Sequence, residues 1–134
     1  MSLSPCSGII VIDSDKTVLV SSKNDNYSFP KGKRNKGESS MDTAWRELFE
    51  ETGLTKEHVE LVDDFVIDET SNKGNICIRY FVGKLIKSPA KLSYDEDELN
   101  TVEWIKVTDA FKLEKFKNRR KDILKQAYEK MQTL

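Results

Sequence analysis

Three glutamates in a short acidic stretch, Glu47, Glu50 and Glu51, are spaced as i, i+3 and i+4. On a helix they project together from one face. Clustered carboxylates repel one another, and Glu51 has Thr55 rather than a lysine four residues on. The cluster is comfortable only against a cation. Oxygen-only ligands suit a hard ion, Mg²⁺ or Mn²⁺. The competing reading is a solvated acidic helix face. Just upstream, Lys31, Lys33, Arg34 and Lys36 put four basic residues in six positions. Side chains of that kind suit phosphate, or they form a solvated basic loop. The chemistry suggested is a metal-held carboxylate cluster facing a polyanion.

The elements that must position these groups follow from pattern. Ser39–Thr52 reads as a helix, with Ser39 or Ser40 able to cap its start and Gly53 a permissive stop. On a helical wheel Met41, Ala44, Trp45, Leu48 and Phe49 share one arc, which is expected to bury. Residues 6–12 and 17–22 are β-rich runs joined by turn chemistry at 13–16, and so read as a hairpin. Residues 24–30 read as a loop with a short strand at 27–29. Two longer strands are expected over 59–68 and 75–86, and a last one over 102–107. Thr108 can cap a short helix over 109–115. Phe116, Ile123, Leu124, Ala127, Tyr128 and Met131 recur at helical spacing near the end. Strands and helices do not alternate strictly, so a doubly wound parallel sheet is disfavoured. The expectation is a mixed α/β (α+β) architecture, a mixed β-sheet sandwiched between helices.

The 134 residues fit one domain, 1–134, large enough for its own core. A net charge of −1 gives no global pull toward nucleic acid or membrane, so anion binding has to come from local charge placement. No apolar run approaches the ~20 residues of a membrane span, and no signal peptide is evident. Cys6 and Cys77 read as reduced, buried thiols and His58 as an ordinary surface residue. The expected location is intracellular: cytoplasmic, or nuclear.

Gly32, five residues, Glu38, seven residues, Arg46-Glu47-Leu48, one residue, Glu50-Glu51, one residue, Gly53-Leu54: this pattern over 32–54 resembles the Nudix box of the Nudix hydrolase superfamily at every defined position. The flanking order of strands and helices is similar to the Nudix fold. The resemblance implies a strand–loop–helix unit that holds Mg²⁺, or Mn²⁺, against a diphosphate. It implies Glu47, Glu50 and Glu51 as metal ligands, with a backbone carbonyl near Lys31–Gly32 completing a site at Gly32. One of the glutamates also serves as a base, and Arg46 orients Glu47 or Glu50 through a bidentate pair. Glu38 supports the loop or the outer shell of the metal. Lys31, Lys33 and Arg34 become phosphate contacts.

Within the superfamily, the run from Ser28 to Gly32, Glu98 before the last strand and Tyr80 are similar to bis(5′-nucleosyl)-tetraphosphatases. That likeness implies Glu98 as a further metal ligand or base, and Tyr80, or less readily Tyr27, as a ring that stacks on adenine. The implied substrate is a nucleotide polyphosphate, most specifically a dinucleoside polyphosphate such as diadenosine tetraphosphate. The run from Phe29 to Lys36 also resembles messenger-RNA decapping domains, so an RNA end is an alternative partner, with Arg119, Arg120, Lys121 and Lys125 able to hold RNA or remain solvated. A diphosphoinositol polyphosphate is a further alternative, weakened by Lys31 and Lys33 where glycines are usual. A Nudix-fold binding module without catalysis is the reading of another class. The chain is expected to act as a monomer or homodimer.

Overall fold

The computed structural model describes residues 4–88 and 91–134. Its strands are β1 (Cys6–Asp13), β2 (Lys16–Ser22), β3 (Tyr27–Ser28), β4 (Lys31–Lys33), β5 (Val59–Thr70), β6 (Ile76–Leu85) and β7 (Leu99–Lys106). Its helices are α1 (Ser40–Thr52), α2 (Val107–Ala110) and α3 (Asn118–Gln132). β1 runs parallel to β6, which pairs antiparallel with the edge strand β5. β1 and β2 pair only at Ile12–Asp13 with Lys16–Thr17. Beyond that they splay, and residues 27–33 fill the fork, β3 pairing with β2 and β4 with β1. β7 covers the length of β2.

Alternation along β1 divides the core. Ile9 and Val11 pack with Ala44 and Leu48 of α1, whereas Ile10 and Ile12 pack with Ile123, Leu124 and Ala127 of α3. A helix therefore lies on each face of the mixed sheet, as the pattern predicts.

The structure differs from the sequence expectations in instructive places. Lys31–Lys33 is a strand, too short and too basic to show strand periodicity. The helix after β7 is only Val107–Ala110, and its N-cap is Lys106 rather than Thr108. β7 starts at Leu99, three residues early. β5 is broken by an irregularity between Leu61 and Val66, where Asp64 takes φ +53°. The buried side of α1 is Ser40, Thr43, Ala44, Leu48 and Thr52, while Met41 and Phe49 are exposed. The helix is rolled toward β4. Small and hydroxylic residues meet the sheet, and the stripe Thr43–Glu47–Glu51, spaced four residues apart, turns in beside them.

Candidate active site

α1 is fixed at both ends. The Ser39 hydroxyl accepts the Asp42 N–H at 3.0 Å, and the Asp42 carboxylate accepts the Ser39 N–H at 3.3 Å. Gly53, at φ +82°, donates its N–H to the Phe49 carbonyl at 2.9 Å. Buried hydroxyl contacts from Ser4 to Ser7 (3.0 Å) and Ser40 (3.1 Å) tie the start of the helix to β1.

The side chains of α1 are presented to the free edge of β4. The bonds Ile9 N–H to Pro30 carbonyl (3.2 Å) and Arg34 N–H to Pro5 carbonyl (2.9 Å) set the ladder phase. Even-numbered residues of this segment face β1, and Lys31 and Lys33 turn their backbone groups outward. Glu51 Oε1 accepts the Lys31 N–H at 3.0 Å, and Arg46 Nη2 donates to the Lys33 carbonyl at 2.8 Å. The ladder thus directs the carbonyl of Gly32 toward Ser7, and it is the Lys31 carbonyl that lies on the glutamate side. Of the Lys31–Gly32 pair, it is the Lys31 carbonyl that has the outward direction. The requirement at Gly32 is steric instead: a Cβ there would run into the Glu47 carboxylate.

Arg46 is the hub. Its Nε and Nη2 grip Glu38 at 2.7 and 3.0 Å, and its Nη1 donates to Glu47 (3.1 Å) and to both oxygens of Glu50 (3.1 and 3.3 Å). The bidentate pair therefore falls on Glu38, not on Glu47 or Glu50. Glu38 Oε1 also accepts from the Asn35 N–H and the Thr43 hydroxyl, both at 2.9 Å. Bonding to Arg46, then to Asn35, holds Glu38 down to about 2. Glu47 moves the other way, raised first by burial and then by the Glu50 charge. Glu51 is pushed up to about 7, mainly by burial, with the Lys31 N–H opposing and the charges of Glu47 and Glu98 adding.

The Glu98 charge adds the smallest of these contributions at both Glu47 and Glu51. Glu98 ends a turn in which Asp95 accepts from the N–H groups of Asp97, Glu98 and Leu99. That turn is anchored to α1 by the Ser93 N–H on the Thr52 carbonyl at 2.9 Å, and to the loop after β2 by Lys23 on the Glu96 carbonyl.

The basic residues part company. Gly32 faces α1, so strand alternation sends the side chains of Lys31 and Lys33 to the other face of β4. Arg34 is half-buried, donates to the Glu38 carbonyl at 3.3 Å and leaves its Nε without a partner among the described residues. Lys36 is exposed. Tyr80 is not at the site. It is fully buried, edge-on to Phe29 with ring centroids 5.2 Å apart, and its hydroxyl points to Glu69. A base cannot stack there. Phe116 meets the same Phe29 ring, so three aromatics lock the residue that leads into β4. Arg120 is occupied by Glu69 at 3.1 Å, and Arg119 by the Thr70 carbonyl at 3.2 Å. A groove of about 620 Å³, lined by Met41, Leu61, Val66 and Phe81, includes none of these carboxylates.

No three of these acidic side chains converge as a ready-made metal cage among the described residues, and Arg46 occupies Glu50. The donor set nevertheless fits a hard divalent cation. The carboxyls of Glu47 and Glu51 are raised first by burial and then by neighbouring carboxylates, Glu50 for Glu47 and Glu47 for Glu51, which marks a place short of positive charge.

The family model of the NUDIX domain matches residues 3–127, and the chain belongs to the Nudix family. It is 34% identical over 114 residues to the m7GpppN-mRNA hydrolase dcap-2 of Caenorhabditis elegans, covering 78% of this chain and 14% of that protein. It is 39% identical over 57 residues to the RNA pyrophosphohydrolase of Psychrobacter sp. (strain PRwf-1), covering 41% of this chain and 33% of that one. The chain thus spans a third or less of these curated relatives. Among solved structures it superposes on a C. elegans Ap4A hydrolase binary complex with a TM-score of 0.83, at 19% identity over 96% of this chain and 99% of that one. The NUDIX domain of Shewanella oneidensis NrtR, complexed with ADP ribose, gives 0.70 at 16% identity over 98% of this chain and 90% of that one. At those identities the likeness shows the fold. No helix among the described residues is long and apolar enough to cross a membrane.

Proposed function

We propose that this Nudix pyrophosphohydrolase cleaves a diphosphate linkage in a dinucleoside polyphosphate such as diadenosine tetraphosphate, with Mg²⁺ or Mn²⁺ as cofactor. The observation that carries this reading is the seating of Glu47 and Glu51 against β4, where Glu51 accepts the Lys31 N–H at 3.0 Å and the Glu47 carboxylate lies over Gly32. Glu47, Glu50, Glu51 and the Lys31 carbonyl would hold the cation, with Glu98 as a further ligand or base. When bound, it neutralises phosphate oxygens and lowers the pKa of its water. Glu51 accepts the Lys31 N–H on Oε1 and has Oε2 left to take a proton from the attacking water. The water oxygen bonds to phosphorus, the bridging P–O bond breaks, and the departing phosphate keeps the electron pair. Arg46 fixes Glu47 and Glu50 while this happens. A polyphosphate that reaches both the glutamates and the side chains of Lys31 and Lys33 has to cross the edge of β4. That path favours a long phosphate chain.

A second reading, a 5′ RNA end as substrate, is favoured by the sequence likeness to a decapping hydrolase and an RNA pyrophosphohydrolase. A non-catalytic module is disfavoured, because every box residue is present and Arg46 organises them. The test is a Mg²⁺ panel of diadenosine tetraphosphate, capped RNA, 5′-triphosphorylated RNA, ADP-ribose and a diphosphoinositol. The proposal expects the highest kcat/KM with diadenosine tetraphosphate. A hundredfold preference for an RNA end transfers the assignment to the second reading.

A further inference from the structure

We infer that Thr43 is a positioning residue for the acidic site, a role that rests on the metal-assisted hydrolysis proposed above. Thr43 is fully buried, in the first turn of α1, and its hydroxyl has two acceptors in reach. One is the Ser39 carbonyl at 3.1 Å, the usual partner four residues back. The other is Glu38 Oε1 at 2.9 Å. A hydroxyl has one proton, and the charged, nearer oxygen is the stronger acceptor. Thr43 therefore donates to Glu38.

That bond approaches Glu38 from the helix side. The Asn35 N–H reaches the same oxygen from the loop, and Arg46 approaches both oxygens from the site. With three directions of approach, the carboxylate plane is fixed. The plane of Glu38 sets the plane of the Arg46 guanidinium, because the grip is two-pronged. Arg46 in turn sets Glu47 and Glu50 through Nη1 and meets the edge of β4 through Nη2. Thr43 is one link further back than Glu38 and touches neither substrate nor cation. Its place on the stripe Thr43–Glu47–Glu51 couples helix burial to the orientation of the ligands.

The test compares Thr43→Val, Thr43→Ala and Thr43→Ser in the full chain. Valine keeps the volume and loses the hydroxyl, and serine keeps the hydroxyl. Expected for Val and Ala is a loss of about tenfold in kcat with KM changed less than about threefold, and weaker Mn²⁺ binding by electron paramagnetic resonance. Serine restores both. In a cycle with Glu38→Gln, Thr43→Val adds nothing to the loss already caused at Glu38. Mn²⁺ affinity is read without any substrate, so a wrong substrate assignment leaves this test intact. Wild-type Mn²⁺ affinity and kcat in folded Val and Ala variants, or full additivity with Glu38→Gln, would overturn the inference.

Discussion

Arg46 grips Glu38 with two hydrogen bonds, Nε to Oε2 at 2.7 Å and Nη2 to Oε1 at 3.0 Å, and spends its remaining nitrogen on Glu47 and Glu50. One guanidinium thus serves three carboxylates and the edge of a strand. A lysine cannot copy that fork. Arg46→Lys should lower kcat on the order of a hundredfold and weaken metal binding while keeping the net charge. Steady-state kinetics with Mn²⁺ titration checks this. Near-wild-type turnover would mean that charge alone suffices.

Glu51 links the site to pH. Its carboxyl is pushed from 4.5 up to about 7 in the fold, so the folded state binds the proton more tightly than the unfolded chain does. Stability from this group is present below pH 4.5 and is lost as pH rises toward and through 7. Glu51→Gln removes that loss. In chelator, the thermal midpoint of Glu51→Gln should match wild type near pH 5 and exceed it at pH 8. The difference is on the order of 3 kcal/mol at most, from about 1.4 kcal/mol per pKa unit. Parallel pH profiles of the two midpoints would exclude the burial account.

A divalent cation competes for the same carboxylate. Mn²⁺ should therefore raise the thermal midpoint of the wild type more at pH 8 than at pH 6, with proton release on binding at pH 6. Scanning calorimetry at the two pH values, with and without Mn²⁺, decides this. An equal shift at both would remove Glu51 from the ligand set.

Gly32 has no room for a side chain, because the missing Cβ position is occupied by the Glu47 carboxylate. Gly32→Ala should displace Glu47 and cost at least about a hundredfold in kcat/KM. The strand stays paired to β1, so the far-ultraviolet spectrum should be unchanged. Full activity in this variant would show that Glu47 is free to move without consequence.

Tyr80 should behave as a core residue. It is fully buried against Phe29, and its hydroxyl is raised well above the usual range by burial and by Glu69. Tyr80→Ala should cost about 3–5 kcal/mol of folding stability, as other aromatic truncations do. At a temperature where it remains folded, KM should be little changed. Denaturant unfolding and kinetics on the same sample separate the two effects. A raised KM at unchanged stability would return the ring to the substrate.

The box was legible because its chemistry is written in spacing: Glu47, Glu50 and Glu51 need only a helix to share one face, and Ser39 and Gly53 mark that helix. The sheet was legible because Ile9 to Ile12 and Val18 to Val20 are apolar runs. The roll of α1 was not legible. A hydrophobic wheel places Met41 and Phe49 inside, but the buried side of α1 is Ser40, Thr43, Ala44, Leu48 and Thr52. β4 was hidden because a three-residue strand of Lys-Gly-Lys has no apolar face to announce it. The grip on Glu38 was missed because it depends on how the loop 34–38 returns to the helix. Tyr80 lies in a strand whose alternate residues face opposite helices, and sequence alone does not say which face is open.

The most direct test of the account is hydrolysis of diadenosine tetraphosphate by wild type and Glu51→Gln, each with Mg²⁺ and with excess chelator, products resolved by chromatography. The account predicts turnover only for wild type with Mg²⁺, and a loss of at least about a thousandfold in Glu51→Gln while its thermal midpoint holds or rises. Undiminished turnover in chelator, or wild-type turnover in Glu51→Gln, would contradict it.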